Sequence, residues 1–221
     1  MEAIILLGPP GSGKGTAADR LKGRTGYIHV ATGDMLREAV KAGSEVGREA
    51  EGYMKRGELV PDAVIIRIVE ERLDKGSASD RYMFDGFPRT LAQAELLEQG
   101  LDRRGGRVRQ VFFLDTPREV LISRLTGRRV CRACGATYHV VNIPPRQEGV
   151  CDACGGELYQ RADDCRETIE NRLEVYNRET EALIARYEEQ GLLVRVNSDQ
   201  GVDNLVAEIA ALLADNERQE S

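Results

Sequence analysis

Apolar residues in this chain follow two patterns. Short, nearly unbroken runs fall at 4–7, 27–30, 81–85, 111–114 and 192–196. Between them, apolar residues return every three or four positions, as at Val64, Ile65, Ile68, Val69 and Leu73, or at Val120, Leu121 and Leu125. Unbroken runs are the mark of strands buried on both faces, and the longer period marks amphipathic helices. Local signals bound several helices: Ser44 and Gly57 bracket one, Pro61-Asp62 opens a second, and Pro117 a third. His29 sits inside an apolar run and is expected as a satisfied core residue. A closing helix is expected over 202–213, followed by a frayed polar tail. Strands alternating with helices predict a parallel α/β sheet covered on both faces. Ligands in such sheets bind at the carboxyl ends of the strands, where Gly8 and Asp85 both fall.

Composition narrows the class. The chain has 221 residues, 41% of them hydrophobic and 31% charged, which suits one large domain or a core carrying inserted subdomains. It contains no apolar run long enough to span a membrane. A strand that begins by Ile4 leaves no room for a signal peptide. A net charge of −6 argues against nucleic acid as the main partner, because phosphate backbones favour a basic face. The five cysteines are expected to be reduced, in a cytoplasmic protein.

The first run leads directly into chemistry. Ile4–Leu7 opens into a turn carrying Gly8, Gly11, Ser12, Gly13, Lys14, Gly15 and Thr16, then a helical pattern through Leu21. A glycine-rich strand-to-helix turn aims backbone amides, a helix N-terminus and a lysine at phosphate. In the strict P-loop pattern a Ser or Thr follows the lysine; here Gly15 stands there and Thr16 comes one place later. The loop therefore predicts phosphate binding, and offers no hydroxyl directly after the lysine to hold magnesium. The run at 81–85 ends in Asp85, the arrangement that sets a carboxylate near a P-loop magnesium.

A second chemistry lies between Gly127 and Asp164. Cys131, Cys134, Cys151 and Cys154 form two CxxC knuckles separated by 16 residues, within the spacing of a closed four-thiolate structural zinc site. The segment offers little apolar surface, so metal would supply much of its folding energy. Two disulfides, or a ribbon gripping nucleic acid through Arg128, Arg129, Arg132, Arg146 and Arg161, are the rival readings. Cys165 stands outside the pattern.

Together these motifs resemble the nucleoside-monophosphate kinases, specifically adenylate kinase in its long form with a zinc-bearing lid. The matching pieces are GPPGSGKGT at 8–16, TGDMLR at 32–37, ELV at 58–60, DGFPRT at 85–90 with Gln93, GRR at 127–129, and RADDCRET at 161–168 leading to Arg172. The Gly15-Thr16 spacing is itself the form of that family. The resemblance implies a three-layer P-loop core with a five-stranded parallel sheet at 1–30, 61–126 and 165–221. To this core it adds a helical AMP-binding subdomain at 31–60 and a small zinc-bearing β lid at 127–164.

The resemblance also implies roles. Gly11, Ser12, Gly13, Lys14, Gly15 and Thr16, with Arg124, Arg128, the backbone near Thr137 and Tyr138, and Gln200, would hold ATP. Thr32, Arg37, the 58–60 backbone (Glu58, Leu59, Val60), Gly86, Phe87, Pro88, Arg89 and Gln93 would hold AMP. Arg161 and Arg172 would span both nucleotides; Asp163 and Asp164 would help close the lid. Lys14, Arg89, Arg128, Arg161 and Arg172 would be catalytic, Asp85 magnesium-associated, and the four knuckle cysteines zinc ligands. The implied enzyme is a monomer that moves the γ-phosphoryl group of ATP to AMP with magnesium, giving two ADP. A UMP/CMP or GTP:AMP kinase is the near alternative, and a nucleotide sensor without turnover the distant one. The acceptor phosphate is mostly ionised at neutral pH, so no general base is needed, and the sequence offers no obvious one. The task is to bring two polyanions together, for which the planar arginine fork is suited.

Overall fold

The apolar runs assemble into one sheet. The computed structural model describes residues 1–219. In chain order the first half comprises β1 (Glu2–Leu7), α1 (Lys14–Thr25), β2 (Ile28–Ala31), α2 (Thr32–Lys41), α3 (Glu45–Arg56) and α4 (Asp62–Asp74). Next come β3 (Arg81–Asp85), α5 (Leu91–Asp102), β4 (Arg107–Asp115) and α6 (Arg118–Thr126). The remainder is β5 (Arg128–Cys131), β6 (Thr137–His139), β7 (Leu158–Tyr159), α7 (Arg166–Val175), α8 (Ala182–Glu189), β8 (Leu193–Asn197) and α9 (Val202–Gln219). A short 3₁₀ turn at Ala162–Asp164 precedes α7, and a π turn at Tyr176–Thr180 joins α7 to α8.

The main sheet is five-stranded and parallel, in the order β2-β3-β1-β4-β8. Alternate residues of one strand enter opposite cores. Ile5 and Leu7 pack with Phe84, Phe113, Val64 and Leu97 on one face. Ile4 and Leu6 pack with Met83, Phe112, Leu21 and Ile209 on the other. That double burial is why the strand reads as a continuous apolar run. Each such Leu, Ile or Phe removed from water contributes about 1.5–3 kcal/mol before entropy is counted.

Ser44 caps α3 by accepting from the Gly47 N–H, and Gly57 ends that helix at φ 72. Residues 128–159 carry a separate antiparallel sheet, order β6-β5-β7. Its buried cluster is small: Cys131, Tyr138, Cys151 and Leu158, with Ala136 against them.

Three features differ from the sequence pattern. β4 starts at Arg107, four residues before its apolar run, because Arg107, Val108, Arg109 and Gln110 continue the strand with polar residues between apolar ones. The helices over 166–189 are dense in charge and were hidden by it. Helix α9 runs through the polar stretch expected to fray, as far as Gln219; the last two residues of that stretch lie outside the described residues. No helix among the described residues is long and apolar enough to cross a membrane.

Candidate active site: a cation-lined cleft

At the carboxyl ends of β1 and β3 the chain must turn sharply into a helix. Gly13 does this at φ 94, a conformation that side chains disfavour, and it caps α1 without any side-chain hydrogen bond. The turn borders a cleft of about 450 Å³. Gly11, Ser12, Gly13, Lys14, Gly15 and Thr16 all line it. Lys14 folds over its own loop, donating to Gly8 O at 2.6 Å, Pro9 O at 2.8 Å and Ser12 Oγ at 3.2 Å. Burial pushes its ammonium down to about 8; Asp85 opposes this, while Arg89, Arg172 and Arg128 add to it. A Cβ on Gly15 would lie 3.2 Å from Asp85 Oδ2. The residue after the lysine is thus in close approach to the carboxylate, where glycine leaves it the most room.

Arg37, Arg89, Arg124, Arg128, Arg161 and Arg172 line the same cleft. They come from helices α2, α6 and α7, from β5, and from the loops at 86–90 and 160–161, so the sequence separates what the fold gathers. Arg89 Nε donates to Gly86 O at 2.8 Å. Burial lowers it to about 10, and the neighbouring Arg172 charge acts in the same sense. Arg161 is likewise lowered to about 10, by burial and then by Arg37 and Arg128. Arg172 shifts down chiefly through burial. These depressions express cations crowded together out of water, a field that an anion would relieve.

Partial counter-charges hold the array. Arg161 pairs with Asp34 at 3.1 Å, and Arg37 Nε donates to the same carboxylate at 3.1 Å. Arg172 meets Asp163 at 2.9 Å. Arg128 Nε donates to the wholly buried Asp164 at 2.7 Å, and this carboxylate raises Arg128 in spite of its burial. Arg124 donates to Ser198 O at 3.0 Å and Asp199 Oδ1 at 3.2 Å.

A smaller chamber of about 60 Å³ adjoins the cleft, lined by Thr32, Arg37, Glu58, Leu59, Val60, Gly86, Arg89, Gln93 and Arg172. Thr32 Oγ1 donates to Gly86 O at 3.1 Å. The Glu58 side chain turns to Arg56, at 2.7 Å. Phe87 lines neither space: it is buried against Phe84, ring centroids 5.8 Å apart. Pro88, Thr137 and Tyr138 line the main cleft. The Tyr138 hydroxyl is directed elsewhere, accepting from Asp152 N at 2.8 Å beside Cys151. The Gln200 side chain bonds to Glu208, while its neighbours Asp199 and Gly201 border the cleft.

His29 is not the core residue that its apolar flanks suggest. It lines the cleft with Nδ1 3.5 Å from Asp19 and Nε2 3.6 Å from Asp85. Burial opposes its charge, but the two carboxylates outweigh burial and lift the imidazolium to about 9. Asp34 was also missed as a site residue, although its place three residues before Arg37 on one helix was a readable signal. Asp85, with Thr16 in the first turn of α1, supplies hard oxygen donors of the kind magnesium takes.

In the small sheet the four knuckle sulfurs converge. All lie within 4.8 Å of one another, with Cys131 Sγ 3.5 Å from Cys154 Sγ and Cys134 Sγ 3.6 Å from Cys151 Sγ. None is in a disulfide. Tetrahedral zinc at about 2.3 Å from each sulfur requires sulfurs about 3.8 Å apart, so the cluster fits that ion. Their ionisation fits too. A hydrogen bond from Tyr138 leads in lowering Cys151 to about 6. Cys154 is helped by the Gly156 N–H, yet Cys134 and Cys131 push it up to about 12. Thiols this close do not all ionise without a cation among them.

Residues 6–192 match the family described as Adenylate kinase. Among curated proteins, the chain is 49% identical over 210 residues to the adenylate kinase of Moorella thermoacetica, covering 95% of this chain and 97% of that one. It is equally similar, with the same coverage, to the adenylate kinase of Geobacillus sp. strain WCH70. The adenylate kinase of Desulfitobacterium hafniense is 51% identical over 205 residues, 93% of this chain and 94% of its own.

Proposed function

Because the chain belongs to the adenylate kinase family and is an ATP:AMP phosphotransferase, we propose a division of labour within the cleft. The ATP phosphates lie against residues 11–16 and Lys14, with Arg124 and Arg128 and the 137–138 backbone toward the base. AMP sets its base at the chamber bounded by Thr32, the 58–60 backbone, Gly86 and Gln93, with its phosphate toward Arg37 and the arginines of the adjoining cleft. Arg89, Arg161 and Arg172 stand between the two. The observation that carries this reading is the convergence of Lys14, Arg37, Arg89, Arg128, Arg161 and Arg172 on one cleft.

Lys14 leaves the carbonyls of Gly8 and Pro9 for phosphate oxygens, which satisfy its charge better. The arginines orient the acceptor phosphate toward the γ-phosphorus and stabilise charge spread over the transferred oxygens. Asp85 and Thr16 would hold the magnesium that accompanies ATP, which would supply further charge neutralisation. Contacts such as Arg161–Asp34 draw the 160–164 segment onto α2, which keeps water from the phosphorus. Residues 127–164 act as the lid over this chemistry, and residues 31–60 as the AMP-binding subdomain. Zinc on Cys131, Cys134, Cys151 and Cys154 sets the lid's internal structure. The same reading has the protein act as a monomer in a reducing cytosol.

The test is ADP formation from ATP and AMP by the protein and by Arg89→Ala. Turnover should fall by about a thousandfold or more in the variant, the scale of losing an arginine on a transferring phosphoryl group. Its melting should stay near that of the parent. Near-normal turnover would refute the placement of Arg89.

A further inference from the structure

Thr90-Leu91-Ala92-Gln93 has the spacing of a capping box at the start of α5, and the structure uses it in altered form. Thr90 Oγ1 accepts from Gln93 N at 3.1 Å. The Gln93 amide oxygen reaches one residue further back than usual and accepts from Arg89 N at 2.8 Å. Its nitrogen turns to the first residue of α4, donating to Asp62 Oδ1 at 2.6 Å. Thr90 Oγ1 donates to the other Asp62 oxygen at 3.2 Å, closing a ring of three side chains. Gln93 itself is 2% exposed and lines the smaller chamber.

The two partners of this amide are chemically one-sided. A backbone N–H can only donate, and a carboxylate can only accept. The amide therefore has one orientation. Turned over, it would set its NH₂ against the Arg89 N–H and its carbonyl against the Asp62 carboxylate, losing both bonds and adding repulsion. After both partners are served, one N–H and one oxygen lone pair remain for a ligand, with the positions of nitrogen and oxygen fixed. Adenine presents a 6-amino donor next to the N1 acceptor, which such an edge can pair. A 6-oxo purine presents an acceptor next to an N1–H donor, which it cannot.

We infer that Asp62 is a positioning residue for acceptor selectivity: by holding the Gln93 amide in one orientation, it sets the site against 6-oxopurine monophosphates. This rests on the proposed placement of AMP in the chamber. Thr90 belongs to the same device, since its hydroxyl fixes the Asp62 carboxylate from the other side. Leaving a buried polar group of the site unpaired is a strong basis for rejecting the wrong ligand.

AMP and IMP are the pair to compare, since they differ only at the 6-substituent and N1 proton. With ATP as donor, Asp62→Ala should lower the AMP-over-IMP ratio of kcat/KM by about tenfold, the value of one to two hydrogen bonds, mainly through the acceptor KM. The KM for ATP should stay within about twofold, since no ATP-facing group is touched. Asp62→Asn retains a carbonyl acceptor for the Gln93 nitrogen and should keep the ratio. On a Gln93→Ala background, Asp62→Ala should not change the ratio at all. If Asp62→Ala slows AMP and IMP by one common factor, the residue only supports the start of α4 and the inference fails, with the placement of AMP intact. If Gln93→Ala alone leaves the ratio unchanged, the placement of AMP fails and takes the inference with it. Should Asp62→Ala not fold, exchange of the wild-type Gln93 side-chain amide decides. Slow exchange with a coupling across the hydrogen bond to the Asp62 carboxyl supports the lock, and solvent-like exchange overturns it.

Discussion

Asp164 offers a quantitative test of how the arginine array is held. Its side chain is wholly buried, and Arg128 meets both of its oxygens, Nε at 2.7 Å and Nη2 beside it. Arg172 Nη1 lies 3.4 Å from the same carboxylate. Asp164→Asn keeps the shape but removes the charge, and turns an NH₂ toward guanidinium donors whichever way the amide lies. Breaking one side of a buried ion pair costs about 3–5 kcal/mol, because the partner charge stays behind uncompensated. Arg128 retains 18% exposure and can recover some hydration, which brings the expected loss to about 2–4 kcal/mol. In a chain of this size each kcal/mol moves the melting temperature by about 2–4 °C, so Asp164→Asn should melt roughly 10 °C lower. The assay is thermal unfolding of the metal-loaded, nucleotide-free protein, followed by far-UV circular dichroism and repeated in urea to obtain the free energy. A variant melting within about 2 °C of the parent would show that the arginines are compensated by water or by Asp163, and the reasoning would fail.

Other consequences follow from the charges and the thiols. Burial holds Lys14 near 8 in the free protein, below its ordinary 10.5, and phosphate contact favours the ammonium and raises it again. ATP binding at pH 9 should therefore take up a proton, and binding at pH 7 should not. Calorimetry in buffers of different ionisation enthalpy reads this directly, and identical heats across buffers at pH 9 would contradict it. Stripping metal from the knuckle cysteines should lower the melting temperature by about 5–10 °C while turnover at low temperature stays largely intact. Immediate loss of turnover in a still-folded protein would show that the metal does more than hold the small sheet.

The strands were legible because both faces of the sheet are covered, which leaves alternate residues no polar side to show. Helices α7 and α8 carried a signal of their own. Ile169, Leu173, Tyr176, Thr180, Leu183 and Tyr187 follow one another at intervals of three and four. Thr180 and the two tyrosines dilute it on any apolar scale, and charged residues fill the gaps. Within the site, residue types placed by motif could be read, but environments could not. His29 owes its setting to Asp19 on α1 and to Asp85 on the strand beside its own, neither of them near in sequence. Gln93 was visible as a base contact, whereas the carboxylate that orients it lies 31 residues earlier. At Gln200 the side chain bonds to Glu208 while the chain on either side borders the cleft. Where only the main chain borders a ligand, the identity of the side chain carries no information.

The strand order has a bearing on how the chain is made. β1 is the centre of the sheet, yet its register partners in β3 come 79 residues later and those in β4 come 105 or 106 later. A nascent chain therefore keeps its phosphate loop unsupported until residue 115 is free. Even then the outer edge of β4 stays open, because β8 joins it only after the whole of 128–191 has been synthesised. An apolar parallel edge left waiting is a template for other nascent chains. The time between release of β4 and arrival of β8 is the interval in which that edge is open to such pairing.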